Sequence, residues 1–550
     1  MSRLRPYQPP SLGTSVDLDL SRNEGRPPPL QFEEEVLAGL ANRYPDVEAL
    51  RRAVARRHGV EEDRVLVTAG GDDALARCFL QLRGERAVVT TPSFEMIYRY
   101  AEQTGARLTR VPWWTGPFPR AEFIAAGEAA GMAVVVSPNN PTGSVITATD
   151  LEAIAAAFPR VVLDAAYAEF ADEDLTSRAL ELGNVMVIRT LSKAYGLAGL
   201  RVGYLLGPAE MVSQVSAYGS PFAVSGISVS LAAQAVEFHD PLPYVARVRE
   251  ERKDLTALLD ELRAGPLPSQ ANFVLATEVD PAWVVGAAAA LGVGLRRFPE
   301  NLELRRSVRI TLPGDPDGYL RLEHTLRTVL APQALLFDLD GVLADVSGSY
   351  RAAIVETAAT FGVEVSSRDI SLAKAAGDAN DDWELTRRLC LAAGVEADPG
   401  EVKKRFEDLY QGGNGAPGLK EREKLLVSPR QLQRWAARLP LAIVTGRPRA
   451  DADAFLERFG IGDLFAAVVT REDAPMKPDP APVRFALKRL GVEQAWMLGD
   501  TPDDLTAARD AGVLPLGVAT PEMPHGYLDG AAAVLETTNQ LEELLDAATR

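Results

Sequence analysis

Short, continuously apolar runs recur up to about residue 330, and longer amphipathic segments separate them. Strands that helices cover on both faces of a parallel sheet have this composition. Each run ends in a turn rich in glycine, proline or aspartate, the position at which α/β folds bind ligands. The pattern predicts an α/β fold with a parallel sheet and ligand sites at the strand ends. The predicted strands are residues 64–68, 87–90, 133–137, 161–163 and 185–189.

The pattern of charged and apolar residues changes at about residue 240. A highly charged helical segment, 245–264, is followed by two short apolar runs, 272–276 and 307–311. This mixture predicts a smaller α+β lobe over residues 240–330, next to a large α/β domain over residues 1–239.

A second alternation begins at residue 334 with the apolar run 334–337. Helical patterns at 350–361 and 381–393 come next, and apolar runs then return. The returning strands are predicted at 441–445, 466–470 and 495–498. We therefore expect a second, Rossmann-like core over residues 331–344 and 431–550, with a helical cap inserted at residues 345–430.

The composition of the chain limits the kinds of partner that it can bind and the location in which it works. The formal net charge of −18 disfavours nucleic acid, whose backbone requires clustered basic residues. No apolar run approaches the roughly 18–20 residues that cross a bilayer, and no secretory signal is visible. The two cysteines, Cys78 and Cys390, fall in different predicted domains. We expect a cytoplasmic protein that acts on small molecules.

The first candidate site centres on Lys193, a residue able to hold an aldehyde cofactor as a Schiff base. Asp164 follows a predicted strand, where its carboxylate could pair with a protonated pyridine nitrogen. Tyr167 and Asn140 could donate hydrogen bonds to a ring hydroxyl.

A phosphate site is predicted beside it. A glycine turn at the start of a helix presents free backbone N–H groups to an anion. Hydroxyl and guanidinium groups farther along the chain could add donors. The predicted residues are Gly70, Gly71, Asp72, Thr190, Ser192 and Arg201.

These motifs resemble the fold-type I pyridoxal-phosphate aminotransferases, most closely the histidinol-phosphate aminotransferases. The runs that carry the resemblance are 42–46, 137–143, 162–170 and 189–204. The resemblance implies that Lys193 binds pyridoxal 5'-phosphate and shuttles a proton between carbons. It implies that Phe94 stacks on the cofactor ring. It also implies that Tyr44 reaches the cofactor phosphate of a neighbouring subunit, and hence a homodimer.

The same resemblance implies substrate-side roles for Tyr7, Asn23, Arg296 and Arg309, with Arg309 near the outer end of the substrate. The chain departs from the family's pattern at Ala165, at Ala223 and within residues 23–26. These departures remove no group that transamination needs, but they leave the substrate open.

The second candidate site begins at the end of the run 334–337. Asp338 is placed to attack phosphorus, and Asp340 to protonate the leaving oxygen and then to deprotonate water. A Mg²⁺ ion would offset the repulsion between carboxylate and phosphate.

Later motifs extend this site. Thr445 could donate to the phosphoryl group, Lys477 supplies a positive charge, and Asp500 and Asp504 complete an acidic metal site with Asp338 and Asp340. In this order the motifs resemble the haloacid-dehalogenase superfamily over residues 334–550. Members with a helical cap after the first strand mostly hydrolyse phosphate esters, and dehalogenation would need neither Asp340 nor this metal site.

The leading hypothesis is a bifunctional enzyme of histidine biosynthesis. It would interconvert imidazole-acetol phosphate and glutamate with histidinol phosphate and 2-oxoglutarate, and would then hydrolyse histidinol phosphate. A second hypothesis is an aromatic or other aminotransferase, or a phosphothreonine decarboxylase, joined to a general small-molecule phosphatase. In a third hypothesis, one half of the chain is a non-catalytic regulatory module.

Overall fold

The computed structural model describes residues 16–548 except 31–33, 378, 380, 414–415, 522 and 525. The chain forms two compact units. The first includes Asp19–Pro281 and Leu295–Arg321, and the second includes Ala282–Gly294 and Leu322–Arg550. None of the helices in the described ranges has the length and apolar character that a membrane crossing requires.

Twelve strands lie in the described chain up to residue 311 and twelve helices up to residue 330. The strands are β1 (Leu18–Asp19), β2 (Val65–Thr68), β3 (Arg86–Thr91), β4 (Arg107–Pro112), β5 (Met132–Val136), β6 (Val161–Asp164), β7 (Val185–Thr190), β8 (Gly203–Leu206), β9 (Phe273–Ala276), β10 (Val293–Gly294), β11 (Arg296–Arg297) and β12 (Val308–Thr311). The helices are α1 (Glu34–Ala41), α2 (Glu48–His58), α3 (Gly70–Leu82), α4 (Glu95–Thr104), α5 (Arg120–Ala126), α6 (Ala148–Ala157), α7 (Thr176–Leu180), α8 (Ala209–Ser216), α9 (Gly226–Phe238), α10 (Leu242–Glu261), α11 (Pro281–Ala290) and α12 (Pro316–Leu330).

The first unit is built on a seven-stranded sheet in the order β2-β8-β7-β6-β5-β3-β4. The sheet is mixed, because β8 runs antiparallel to both β2 and β7. The connection from β7 to β8, residues 191–202, contains a short 3₁₀ turn, Ala198–Leu200, and no crossover helix, and β8 returns antiparallel. The α/β class is confirmed, and the five strands predicted from the sequence run parallel to one another. The mixed character comes from β8, which was not among the predicted strands.

Close packing at the start of β8 requires glycine. A Cβ atom on Gly203 would lie 2.6 Å from the carbonyl carbon of Gly70 and 2.8 Å from the carbonyl oxygen of Arg189. The strand therefore lies tightly against the loop that opens α3, and this contact helps to shape the predicted phosphate site.

A smaller antiparallel sheet, in the order β11-β12-β9, belongs to the same unit. Its strands β9 and β12 fall where the sequence predicts them. Arg296 on β11 is directly opposite Arg309 on β12. Directly opposed residues in an antiparallel pair point to the same face, so the two arginines share one face of this sheet.

Ten strands and nine helices follow in the described chain beyond residue 330. The strands are β13 (Ala334–Phe337), β14 (Ala344–Asp345), β15 (Gly412–Gly413), β16 (Ala416–Pro417), β17 (Lys424–Leu425), β18 (Leu441–Val444), β19 (Phe465–Val469), β20 (Ala495–Gly499), β21 (Leu514–Val518) and β22 (Ala533–Leu535). The helices are α13 (Tyr350–Thr360), α14 (Ser367–Ala375), α15 (Asp382–Ala392), α16 (Pro399–Gln411), α17 (Pro429–Ala436), α18 (Arg449–Phe459), α19 (Ala481–Leu490), α20 (Pro502–Asp510) and α21 (Leu541–Ala548).

The second unit is built on a parallel sheet in the order β19-β18-β13-β20-β21-β22. Strand β13 lies between β18 and β20, so the loops after these three strands meet at one edge of the sheet. Helices α13–α16 form the insertion, and the antiparallel pair β14–β17 closes it at its base. Segment 282–294 also belongs to this unit, with the ring of Trp283 5.2 Å from that of Trp496.

Candidate active sites

The first site forms where β6 and β7 end and α3 begins. Asp164 is the last residue of β6, Lys193 follows β7, and Gly70 opens α3. Lys193 lies close enough to Asp164 for its positive charge to oppose the rise that burial causes in the pKa of the Asp164 carboxyl. Because the strands are parallel, residues distant in sequence share one sheet edge, as the motif order predicts.

The predicted phosphate residues lie together at the start of α3. Gly70 has a φ of 82°, and a Cβ there would lie 2.9 Å from the Arg201 guanidinium. Arg201 also donates to Asp72 at 3.2 Å. A Cβ on Gly71 would lie 4.0 Å from Cβ of Thr190, whose hydroxyl donates to Ser192 at 2.9 Å. Backbone N–H groups, two hydroxyls and a guanidinium thus surround one helix N-terminus, which suits a phosphate.

Burial sets the electrostatics around Lys193. Burial is the main cause that lowers the pKa of the Lys193 amine to about 8, and the positive charge of Arg309 adds to the effect. Burial likewise raises the pKa of Asp164 to about 7, and the negative charge of Asp72 raises it further. A buried carboxylate with this pKa is stabilised by a cationic partner, as a protonated pyridine nitrogen would be.

A hydrogen-bond network holds the substrate side of the site. Asn23 donates to the Tyr167 hydroxyl at 2.9 Å and accepts from the Thr311 hydroxyl at 2.7 Å. Arg309 donates to Oδ1 of Asn140 and to the carbonyl oxygen of Ser21, both at 2.8 Å. These bonds tie the segment 21–23 and strand β12 to the residues predicted to contact the cofactor ring.

Two arginines gather at one aromatic ring. The guanidinium carbons of Arg296 and Arg309 lie 5.4 Å and 5.8 Å from the centre of the Phe298 ring. Arg309 is buried and Arg296 half-buried. Like charges held this close repel each other, and an anion bound between them would relieve the repulsion.

Asn139 is a positioning residue that the sequence motifs left without a role. Its buried amide donates to the Pro92 carbonyl and to the Thr142 hydroxyl, both at 2.9 Å, and accepts from the Ser93 hydroxyl at 2.9 Å. Asn139 therefore fixes the loop that carries Phe94 to the loop that carries Asn140. The only signal in the sequence is that it precedes Asn140.

Tyr44 lies away from this network. Its side chain is 80% exposed and stacks on Phe222 at a ring distance of 4.5 Å, and Phe222 is itself 57% exposed. An exposed aromatic pair of this kind suits a subunit interface. Tyr7 lies outside the described residues.

The second site occupies the edge where β13, β18 and β20 end. Asp338 follows β13, Thr445 follows β18, and Asp500 follows β20. Lys477 donates to Asp338 at 2.7 Å, to the Val444 carbonyl at 3.0 Å, and pairs with Asp504 at 2.5 Å. Gly341 has a φ of 72°, and a Cβ there would lie 2.1 Å from Asp500, so glycine allows the two loops to meet.

Three carboxylates in this site could share a cation. Oxygen atoms of Asp338, Asp500 and Asp504 lie within 4.8 Å of one another, and all three residues are buried. Burial and then the charges of Asp504 and Asp338 raise the pKa of Asp500 well above its ordinary value. Burial also raises the pKa of Asp338 to about 7, although Lys477 acts in the opposite direction. The donor set, all carboxylate oxygen, suits Mg²⁺.

Asp340 has a different environment. Nε of Arg447 donates to its Oδ1 at 2.7 Å, and Nη2 of Arg447 lies 2.6 Å from the same oxygen. Arg447 is buried and also donates to Glu423 at 3.1 Å. The role of Asp340 as a fourth metal ligand stays a prediction. No sequence motif pointed to Arg447 or Glu423, although Arg447 comes two residues after Thr445.

Two known protein families match the chain, one over each half. The family described as aminotransferase class I and II matches residues 17–322, and the haloacid dehalogenase-like hydrolase family matches residues 332–512. The chain belongs to the class I and II aminotransferases. It also carries a haloacid dehalogenase-like hydrolase domain at its carboxyl end, so both halves come from enzymatic families.

Three similar proteins add detail. Histidinol-phosphate aminotransferase of Symbiobacterium thermophilum is 33% identical over 355 residues, covering 60% of this chain and 97% of that protein. A crystal structure of histidinol-phosphate aminotransferase from Sinorhizobium meliloti in complex with pyridoxal 5'-phosphate is 27% identical with a TM-score of 0.50, covering 56% of this chain and 89% of that one.

The third is an imidazoleglycerol-phosphate dehydratase of Phytophthora nicotianae. It is 49% identical over 198 residues, which cover 34% of this chain. The chain spans 44% of the length of that relative.

Proposed function

We propose that the chain is a bifunctional enzyme in which the first unit transaminates histidinol phosphate and the second hydrolyses a phosphate monoester, with histidinol phosphate as the shared compound. The observation that carries the proposal is that one chain holds two separate candidate sites, around Lys193 and around Asp338, within matches to two enzymatic families. The direct test is to supply imidazole-acetol phosphate and glutamate to the purified chain and to identify the products.

The transaminase proposal rests on the fit of pyridoxal 5'-phosphate to the first site. The helix N-terminus at Gly70, Thr190, Ser192 and Arg201 would hold its phosphate, and Asp164 its ring nitrogen. Once bound, the cofactor supplies an electron sink for the charge left on the amine-bearing carbon. The Lys193 amine, whose pKa is lowered to about 8, can accept and return a proton near neutral pH. Tyr167 and Asn140 orient the ring, and Phe94 covers it.

Two observations support an imidazole phosphate as the substrate. The relatives named above act, by name, on histidinol phosphate and on imidazoleglycerol phosphate. Loss of water from an imidazole-bearing glycerol phosphate leaves an imidazole-bearing keto phosphate, which is the class of ketone that a transaminase accepts. Arg309 and Arg296 supply positive charge for the phosphate of such a compound.

The phosphatase proposal rests on the second site. Asp338, Asp500 and Asp504 would hold Mg²⁺, which would reduce the repulsion between carboxylate and phosphate. Asp338 would attack phosphorus, and Thr445 and Lys477 would contact the phosphoryl oxygens. A transaminase that makes a phosphate monoester supplies what such a site consumes.

We further propose a homodimer formed through the first unit, because the stacked pair Tyr44 and Phe222 is exposed.

Both cysteines, Cys78 and Cys390, are buried free thiols. Free thiols are typical of reducing compartments, which supports a cytoplasmic location.

Arg309→Ala should selectively weaken the use of histidinol phosphate. Truncating one member of a buried charge pair costs about 2–5 kcal/mol, which corresponds to roughly 30-fold to several-thousand-fold in kcat/KM. Histidinol, which has the same amine and imidazole but no phosphate, should lose much less. The measurement is the kcat/KM of both amines in the variant and in the native chain.

Arg305→Ala, which removes an exposed arginine four residues earlier, is the matched control and should leave both values unchanged. Equal losses for histidinol phosphate and histidinol in Arg309→Ala would indicate a folding or cofactor defect, and would contradict recognition of the phosphate by Arg309.

A further inference from the structure

Arg447 contacts the proposed general acid of the second site through two of the three nitrogens of its guanidinium. Nε and Nη2 converge on Oδ1 of Asp340, at 2.7 Å and 2.6 Å. The other oxygen, Oδ2, is then the one that can carry a proton to the substrate. The Asp340 side chain is still 23% exposed, so it is accessible to a substrate, whereas the Arg447 side chain is only 1% exposed.

The third arm of Arg447 contacts Glu423, at the base of the helical insertion. Nη1 of Arg447 donates to Oε2 of Glu423 at 3.1 Å. Oε1 of Glu423 accepts from the hydroxyls of Ser349 at 2.9 Å and Tyr410 at 3.1 Å. Glu423 immediately precedes β17, and Ser349 lies between β14 and α13. The arginine therefore links Asp340 to both segments that connect the insertion to the core.

Packing leaves Arg447 little freedom to move. Its guanidinium carbon lies 4.9 Å from the centre of the Tyr350 ring and 5.2 Å from that of Phe455. Two aromatic rings and two carboxylates thus fix the plane of the guanidinium. A fixed fork in turn restricts the torsions of the carboxyl group that it holds.

We propose that Arg447, supported by Glu423, is a positioning residue that aims the Asp340 carboxyl at the leaving oxygen of the phosphate ester. The role rests on the phosphatase function proposed above. Arg447 does not touch the reacting atoms. It keeps Oδ1 occupied and so presents Oδ2 in one orientation. Glu423 accepts from Nη1 of Arg447 and offsets its charge, which holds the guanidinium in place against Asp340.

The proposed hydrolysis has two halves, in each of which one bond to phosphorus forms and another breaks. In the first half, an oxygen of Asp338 forms a bond to phosphorus while the bond from phosphorus to the ester oxygen breaks, and the proton on Oδ2 of Asp340 moves to the departing alkoxide. In the second half, water attacks phosphorus, its proton returns to Asp340, and the bond between Asp338 and phosphorus breaks. A misdirected Asp340 would impair the first half most when the leaving oxygen is strongly basic.

This dependence on the leaving group separates positioning from simple structural support. An alkyl phosphate needs a proton at its leaving oxygen, whereas the p-nitrophenolate of p-nitrophenyl phosphate departs without one. The experiment measures release of the leaving group in the first turnover, by rapid quench, for p-nitrophenyl phosphate and 2-glycerol phosphate. Arg447→Met should slow the alkyl ester by about 10²-fold or more, and the aryl ester by less than about tenfold.

Three further variants complete the test. Arg447→Lys should recover part of the rate with the alkyl ester, and Glu423→Gln should shift the ratio of the two rates in the same direction as Arg447→Met but by less. Arg430→Met, which removes an exposed arginine of α17, is the matched control and should leave both rates unchanged. Thermal unfolding of each variant reports on folding.

The outcomes are distinguishable. Equal losses for both esters in Arg447→Met, or no loss in either, would overturn the positioning role while leaving the phosphatase proposal standing. A native chain that hydrolyses neither ester would overturn the phosphatase function and this role with it.

Discussion

Lys193→Ala should abolish transamination, lowering its rate by about 10³-fold or more, and leave phosphate release nearly unchanged. Only an amine at this position can bind the aldehyde cofactor and move the proton between carbons. The second site draws its proposed catalytic residues from position 338 onwards, in the other compact unit. The measurement is a paired assay of amine transfer from glutamate and of hydrolysis of p-nitrophenyl phosphate.

Lys253→Ala, which removes an exposed lysine of α10, is the matched control and should keep both activities. The absorbance of bound cofactor should change only in Lys193→Ala. If a folded Lys193→Ala variant lost both activities to the same extent, the two sites would not be chemically independent, and the proposal of two separate chemistries would be wrong.

Asp338→Asn should eliminate phosphate release, to below about one part in 10³ of the native rate, because the amide cannot supply the attacking carboxylate oxygen. Removal of Mg²⁺ with EDTA should have a similar effect, since the three buried carboxylates then lose the cation that offsets their charge. Phosphate release and transamination are measured side by side, and transamination should persist in both cases.

Asp453→Asn, at an exposed aspartate of α18, is the matched control and should hydrolyse esters at the native rate. Full turnover of the native chain in EDTA would contradict the metal-assisted mechanism. Substantial turnover by Asp338→Asn would instead show that another group attacks phosphorus.

The parts of the fold that were predictable are those in which an apolar strand leads directly into a polar turn. Strands β6 and β13 are fully buried, and Asp164 and Asp338 stand at or just after their ends. Burial on both faces makes such strands uniformly apolar, so they stand out in the sequence. The polar residue that follows is then placed at the sheet edge, which is why the main residues of both sites could be named.

The direction of strand β8 could not be predicted from the sequence. The segment 203–206 is apolar like its neighbours, and nothing in its composition separates an antiparallel strand from a parallel one. The direction of β8 is seen only in its antiparallel pairing with β2 and β7. Such pairing is a property of the folded chain.

Residues that act by holding another residue in place could not be predicted from the sequence either. Arg447, Glu423 and Asp340 are far apart in sequence, and their contact depends on the loops at the base of the insertion coming together. The same is true of the bond from Arg309 to Asn140, which joins two loops of the first unit. Spacing within a motif carries no information about such long-range pairs.

The most direct test of the central claim is to identify the products that the purified chain forms from imidazole-acetol phosphate and glutamate in the presence of Mg²⁺. The expected products are 2-oxoglutarate, histidinol and inorganic phosphate, with histidinol phosphate replacing the last two in Asp338→Asn. Accumulation of histidinol phosphate by the native chain, while the same preparation hydrolyses p-nitrophenyl phosphate, would contradict a shared substrate for the two sites.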